Sequence, residues 1–470
     1  MVNDRPATIT IEDWEKTPLA VQEYIVKQAA ELQEARERLR QNSQNSSRPP
    51  SSDFPGQKEK KPKKESNPKW RKAGGQPGHK RHKRELKPVE EVEAVIVVKP
   101  ESCRHCGAGL EGEDSQPHRH QVTEIPPIEP IVTEYQIHTL YCDECGGKTR
   151  GELPAGVPRR AFGARLQSIV SMASGVYRMS RRQVEEMMSN FFKVELSLGT
   201  VKNLEEDTSE ALSGLVEEAK AYVKEQKQAN IDETSWKQGT EKGWLWVMVT
   251  QWVVVFVVRL SRGSKVAKEL LGEDFKGVVN TDRYSAYNWL PVKLRQLCWA
   301  HLIRQFQAFV DYGGQSGRIG EALLTETELM FAWGYKLRQG EISRAEFQEI
   351  MKPIRAEIVR LLKNGAAGAH QKTAGSCAHI LKFKPALWTF IEKEGIEPTN
   401  NEAEREIRSG VIWRKTSFGS QSEAGSIFVE RMLTVSATLK RQNRNVLDFL
   451  TEACTARLYN RPAPSLLPQK

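Results

Sequence analysis

Between Gln228 and Asp282 the chain carries a pattern that few architectures satisfy: three strand-like runs in succession, a short helix, and a fourth run that ends in an acid. "QANIDET" opens the series, "GWLWVMVT" and "WVVVFVVRL" continue it, a helical pattern covers 264–272, and "GVVNTDRYSAY" closes it. The apolar stretch inside it, 244–258, has Thr250 and Gln251 in its middle. At fifteen residues it falls short of the roughly 20 that a membrane helix needs, so a β-hairpin is predicted there. Asp232 lies beside Ala229 and Ile231, where an unpaired carboxylate is costly to bury, and something cationic should meet it. Singly, Asp232 and Asp282 read as a strand-end cap and a turn acid. Their joint placement is what points to chemistry.

That order of elements is the ribonuclease-H-like layout, in which a central strand carries one acid and a second follows the strand after the helix. Two converging carboxylates repel, and Mg²⁺ resolves the repulsion by taking both as oxygen ligands. A third carboxylate would allow two ions, one activating the attacking water or 3′-hydroxyl and the other stabilising the leaving oxygen. The sequence has no nucleophile elbow, no phosphate-cradling Gly loop with Lys and no zincin pair. The third acid is expected in "TNNEAEREIRSGVIW", where Ala403, Ile407 and Val411 form one apolar stripe. Glu404 lies roughly 60° from the stripe's centre at Ile407, Glu406 about 100° and Glu402 about 140°. Only Glu404 borders the buried face. Asp232, Asp282 and Glu404 are therefore the candidate catalytic residues and the ligands of two Mg²⁺ (or Mn²⁺) ions. Asn400 and Asn401 read as a helix cap, with Glu404 where the dipole favours negative charge. Glu402 and Glu406 read as solvent-facing. Arg405, Arg408, Arg414 and Lys415 are candidate DNA contacts; a surface ion pair of Glu404 with Arg408 is the plainer alternative.

The rest of the 470 residues implies further modules. Residues 58–87 hold thirteen Lys and Arg against three Glu, which accounts for the chain's whole net charge of +10. Such a segment cannot bury a core, so a flexible arm that meets nucleic acid is expected, with Lys60, Lys61, Lys63, Lys64, Arg71 and Lys72 as contacts. Before it, Ile25, Leu32 and Leu39 recur by seven in a short coiled-coil candidate, followed by an Asn/Ser/Pro linker. Cys103, Cys106, Cys142 and Cys145 form two CxxC knuckles, the four soft ligands of a structural zinc ribbon with a β insertion. A redox pair is the competing reading, but no thioredoxin-like βαβ accompanies it. Residues 160–225 look helical, with a capping box from Ser180 to Gln183 and a second helix after Ser197. They read as a plain helical linker or a helix-turn-helix, whose DNA contacts would include Arg181 and Arg182. No basic n-region and apolar core open the chain, so a cytoplasmic location, without membrane, is expected.

Taken together, "NSQNSSRPPSSD", "GGQPGH", the CxxC pairs, "DET" at Asp232, "TDRYSAY" at Asp282, "CWAH" at Cys298–His301, "NNEAER" at Asn400–Arg405 and "WRKTSFGSQSEAG" at 413–425 resemble the transposases of the insertion-sequence-66 family. These are DDE enzymes of bacterial mobile elements. The family pattern Asn-Asn-x-Ala-Glu-Arg puts the catalytic glutamate at Glu404; Arg283 stands where many members carry Gly. The resemblance implies a multi-domain α+β/α/β chain: an N-terminal helix or coiled coil (1–45), linker and basic arm (46–89), zinc domain (90–155), helical region (156–226), a ribonuclease-H-like core in two parts (227–313 and 397–445) around a helical insertion (314–396), and a C-terminal helix and tail (446–470). It implies cleavage at the element's ends and transfer of the 3′-hydroxyl into target DNA. The partners implied are terminal-repeat and target DNA, further copies in a dimer or higher oligomer, and element-encoded accessory proteins, in the nucleoid-associated cytoplasm. A metal-dependent nuclease without strand transfer and a non-catalytic zinc-dependent DNA-binding regulator are the alternatives. Cys298 and His301 read as a packed pair, since two ligands do not make a metal site.

Overall fold

The hairpin and the strand after it assemble one five-stranded sheet. A computed structural model describes residues 9–46, 85–155, 157 and 161–468. Two compact units make up the chain: residues 58–129, and residues 1–57 with 130–470. Among the described residues no helix is long and apolar enough to cross a membrane. In the larger unit, α1 (Ile11–Lys16) and α2 (Leu19–Arg40) lead to the small hairpin β1 (Thr139–Tyr141) and β2 (Lys148–Arg150). Leu32 and Leu39 of the heptad are exposed on α2.

Between that hairpin and the sheet, the described residues form α3 (Ala164–Gly175), α4 (Arg181–Phe192), α5 (Leu198–Ala211) and α6 (Ser213–Lys224). The capping box forms as the sequence predicts, Ser180 accepting from the Gln183 amide and Gln183 reaching back. Val170, Val184, Met188, Val201 and Leu204 close a small core around the α4–α5 pair.

The sheet follows: β3 (Gln228–Gln238), β4 (Glu241–Val249), β5 (Val254–Arg259), helix α7 (Ser264–Leu271), β6 (Val278–Thr281) and β7 (Arg295–Leu297). The strand order is β5-β4-β3-β6-β7. β3, β4 and β5 run antiparallel in sequence, and β3, β6 and β7 are parallel. The hairpin turn is tied by Thr250, whose hydroxyl accepts from the Val253 amide and donates to its carbonyl.

Helices α8 (Trp299–Tyr312), α9 (Gly314–Arg338), α10 (Arg344–Ala366), α11 (Gln371–Lys382) and the short α12 (Thr389–Glu392) then share a second core. That core takes in Val278 of β6 and Leu297 of β7 and, on α8, Trp299, Leu302, Phe306 and Phe309, so α8 packs with the helices after residue 314. Trp388 is fully buried in it, 5.4 Å from Trp299. The chain returns to the sheet through α13 (Asn401–Ser417), α14 (Glu423–Arg441) and α15 (Val446–Leu458).

Helix α13 buries Ala403, Ile407, Gly410 and Trp413, so its stripe turns away from Val411. Gly410 is the cause: a Cβ there would lie 2.1 Å from Leu245 Cδ2, and its absence lets the helix settle onto β4. Asn400 occupies the cap position without capping; its side chain donates instead to the Ile231 carbonyl at 2.8 Å.

Helix α14 lies along β5, the sheet's edge, and satisfies the edge amides. Glu430 accepts from Val258 N–H at 2.8 Å, Thr434 from Phe256 N–H at 2.9 Å and Thr438 from Val254 N–H at 3.0 Å. One turn on, Gln442 donates to the Trp252 carbonyl at 3.2 Å. Thr434→Val keeps the shape but strands the Phe256 amide in a fully buried place, a loss of about 1–3 kcal/mol. A denaturation midpoint unchanged by this substitution would refute the assignment.

Candidate active site

Parallel pairing puts the two strand acids level with one another. The β3–β6 ladder ends with Asn230 opposite Asn280, and two residues further along each strand come Asp232 and Asp282. Cys298 follows β7 on the next parallel strand, and its amide donates to the Thr281 carbonyl at 2.9 Å. Asp232, inside the longer β3, thus lies level with the points where the chain leaves β6 and β7, the usual side for a site in a sheet with parallel strands. Asn280 donates to the Glu397 and Thr399 carbonyls, and Asn400 grips β3 one residue before Asp232. These amides fasten the start of α13, with Glu404 in its first turn, to β3 and β6.

Asp232 is half-buried, and its carboxyl is held well above the usual carboxylate range, first by burial and then by the charges of Glu233, Asp282 and Glu404. Asp282 is pushed up by burial too, against the Tyr284 amide and nearby Arg262, Arg295 and Arg283, which pull it down. Among the described residues neither aspartate makes an ion pair. Two half-buried carboxylates in no ion pair among the described residues, with the charge of Glu404 acting on Asp232, suit a hard divalent ion with oxygen ligands.

Glu404 Oε1 lies 3.5 Å from His301 Nδ1, 3.7 Å from Arg304 Nη2 and 4.0 Å from Cys298 Sγ. Burial, with Arg304 and Arg283 beside it, pushes His301 down to about 3, which keeps the ring neutral. Burial also pushes the Cys298 thiol up to about 11.

Sequence reasoning missed a second layer around the aspartates. Glu233 on β3 accepts from the Tyr287 hydroxyl at 2.5 Å and pairs with Arg262 at 2.7 Å. Burial and the Asp282 charge push its carboxyl up to about 7, against those two partners. Arg262 stacks between the rings of Trp244 and Tyr284, at 4.6 and 3.9 Å. The "DET" and "TDRYSAY" motifs held this signal, since Glu233, Tyr284 and Tyr287 sit inside them. Arg283 reaches from the Asp282 strand end to Gln305 on α8 and His379 on α11, tying the site to the helical layer.

The remaining candidates fall in several places. Arg405 and Arg408 are exposed on α13, Arg405 paired with Glu402. Lys415 is exposed, whereas Arg414 turns inward and donates to Thr234 and to the Ser235 carbonyl on β3. Arg181 pairs with buried Glu205 at 2.8 Å, bridging α4 to α5, while Arg182 is exposed. Glu402 and Glu406 differ from their solvent-facing expectation: both are half-buried and hold Arg441 of α14. Lys60, Lys61, Lys63, Lys64, Arg71 and Lys72 lie outside the described residues.

Each CxxC forms the same tight knuckle. The Cys103 amide donates to the Ala108 carbonyl and the Gly107 amide to the Cys103 carbonyl; Cys142, Gly147 and Gly146 repeat the pattern. Local amides pull the Cys103 and Cys142 thiols below their ordinary value, as thiolate ligands require. Gly107 and Gly146 adopt positive φ of 76° and 68° at the turn. The first knuckle belongs to the unit of residues 58–129 and the second to the larger unit.

Residues 161–427 match the family model described as transposase IS66 family. Residues 100–146 match the zinc-finger binding domain of transposase IS66, and residues 8–85 match a family of unknown function. An uncharacterized protein, y4qI, of Sinorhizobium fredii (strain NBRC 101917 / NGR234) is 30% identical over 251 residues, or 48% of this chain and 46% of that protein. The chain therefore spans about half the length of this curated relative.

Proposed function

This chain belongs to the IS66 transposase family, and from that membership we propose that it cuts DNA at the ends of a mobile element and joins the freed 3′-hydroxyl to target DNA. The observation that carries the reading is the pair of half-buried aspartates, in no ion pair among the described residues, two positions beyond the last paired residues of adjacent parallel strands, with Glu404 near enough for its charge to act on Asp232. The strand order supports a ribonuclease-H-like core, interrupted by the helices from α8 to α12.

Asp232, Asp282 and Glu404 would hold Mg²⁺ or Mn²⁺, two ions per site, which when bound activate the attacking oxygen and stabilise the leaving one. The chain's own residues prepare the place. Asn280 and Asn400 fix the spacing between the Glu helix and the strands. Neutral His301 leaves the Glu404 carboxylate free for an ion instead of occupying it with an imidazolium. Arg262, held by Glu233 and two rings, offers a fixed cation to a phosphate beside Asp282. Arg405, Arg408, Lys415 and Arg182 are exposed cations suited to DNA backbone, whereas Arg414 and Arg181 serve the fold first. The knuckles would hold structural zinc, and the basic arm would add affinity that is salt-dependent and independent of sequence.

The test is an assay with end-labelled element DNA and Mg²⁺, scored for cleavage and for joining. Both products are expected. Cleavage without joining would leave a nuclease, and neither product with bound DNA would leave a regulator.

A further inference from the structure

We infer that Cys298, His301 and Glu404 form a binding site for a soft divalent transition ion, zinc above all, which competes with the catalytic ions for Glu404. The ligand atoms of the three residues all lie within 4.8 Å of one another. Glu404 Oε1 is 3.5 Å from His301 Nδ1 and 4.0 Å from Cys298 Sγ. Tetrahedral zinc, with bonds of about 2.0 to 2.3 Å, holds its ligands about 3.3 to 3.8 Å apart, so shifts below about 1 Å suffice.

A second observation points to a ligand. His301 Nδ1 is buried and has no hydrogen-bond partner among the described residues. Such an atom is costly unless something binds it. The local fold explains the convergence. Cys298 is the cap residue of α8 and His301 lies in its first turn, so their spacing of three puts both on one side of the helix. The Asn400 amide donates to Cys298 Sγ at 3.1 Å, the outer-layer support that fixes a ligating sulfur. Arg304 Nη2, 3.7 Å from Glu404, is the opposing charge, and it sets the affinity below that of a four-thiolate site.

The ligand sets differ in kind. Asp232 and Asp282 offer hard oxygens, which suit Mg²⁺, while sulfur and imidazole select zinc or cobalt. Glu404 is common to both sets. A soft ion bound here draws it from the aspartates and stops cleavage. This inhibitory consequence rests on the proposed role of Glu404; the binding itself does not.

Cobalt(II) added to the full-length protein without Mg²⁺ reads the site directly, through the near-ultraviolet absorption of its thiolate bonds. Wild type should exceed Cys298→Ser by one such bond beyond the four knuckle thiolates, about a fifth of the band. His301→Gln, at a partly exposed position, should also lose the extra intensity and serves if the serine variant does not fold. Equal bands in wild type and both folded variants would overturn the site. In the cleavage assay, the zinc concentration that halves Mg²⁺-dependent nicking should rise at least about tenfold in Cys298→Ser; an unchanged value would overturn the competition. Wild type that shows the cobalt difference yet never nicks with Mg²⁺ would sink the transposase chemistry and leave the metal site standing.

Discussion

Glu404→Gln should cut Mg²⁺-dependent nicking by about 10³-fold or more, equivalent to about 4 kcal/mol of barrier, while folding and DNA binding persist. The substitution removes a ligand's charge at nearly constant shape, and Glu404 makes only long contacts whose loss costs little stability. Glu402→Gln and Glu406→Gln are the controls on the same helix. Each weakens the clamp on Arg441 and should lower stability by about 1 kcal/mol or less, with nicking largely retained. Robust nicking by Glu404→Gln, or its loss in Glu402→Gln alone, would show that a different glutamate does the chemistry.

Asp232→Asn should also abolish nicking, yet stabilise the protein in buffer without added divalent ions. Replacing a carboxyl that burial and neighbouring acids make costly to ionise by a neutral isostere is worth about 1–4 kcal/mol, on the order of 5 °C in melting temperature. The pH dependence has a definite sign. Asp232 and Glu233 titrate higher in the folded chain than in the unfolded one. Their folded forms hold protons that the unfolded chain releases, so stability is full below the ordinary carboxylate range and falls as pH rises. For Glu233 the window runs from 4.5 to about 7. Wild type without metal should therefore melt lower at pH 7.5 than at pH 5, and Asp232→Asn should flatten that slope. Mg²⁺ should raise the melting point of wild type at pH 7.5 and leave the variant nearly unmoved. A variant that melts no higher than wild type across this range would mean that Asp232 is not a source of strain.

Much of this site was legible because its signals are local. Apolar, β-branched runs announced β3, β4 and β5, the acids lay inside β3 and just after β6, and 100° per residue made Glu404 the candidate among three glutamates. The misses all depend on partners distant in sequence. β7 is three residues long and buries Arg295 and Gln296, so no apolar pattern marks it. Cys298 and His301 meet Glu404 only because a helix over a hundred residues away in sequence packs beside them. Val411 fits an ideal stripe, but Gly410 and Trp413 face the sheet, because contact with Leu245 decides which side of α13 is buried. Arg414 looks like a free cation in "WRK" until Thr234 and Ser235 are seen beneath it.

The ladder between α14 and β5 is a vernier. Edge amides on one side of a strand recur about every 6.4 to 6.8 Å, whereas four helical residues advance about 6.0 Å. The two rulers slip by roughly half an ångström per rung, so they can stay in phase only near the middle of the overlap. The side chains grade accordingly: the short hydroxyls of Thr434 and Thr438 serve the central rungs, and the longer Glu430 and Gln442 reach outward at the two ends. It follows that the span of this edge is metered by the helix beside it. A longer β5 would outrun any threonine, and this edge of the sheet is closed to an added strand. A second copy of this chain could not pair with it at this edge.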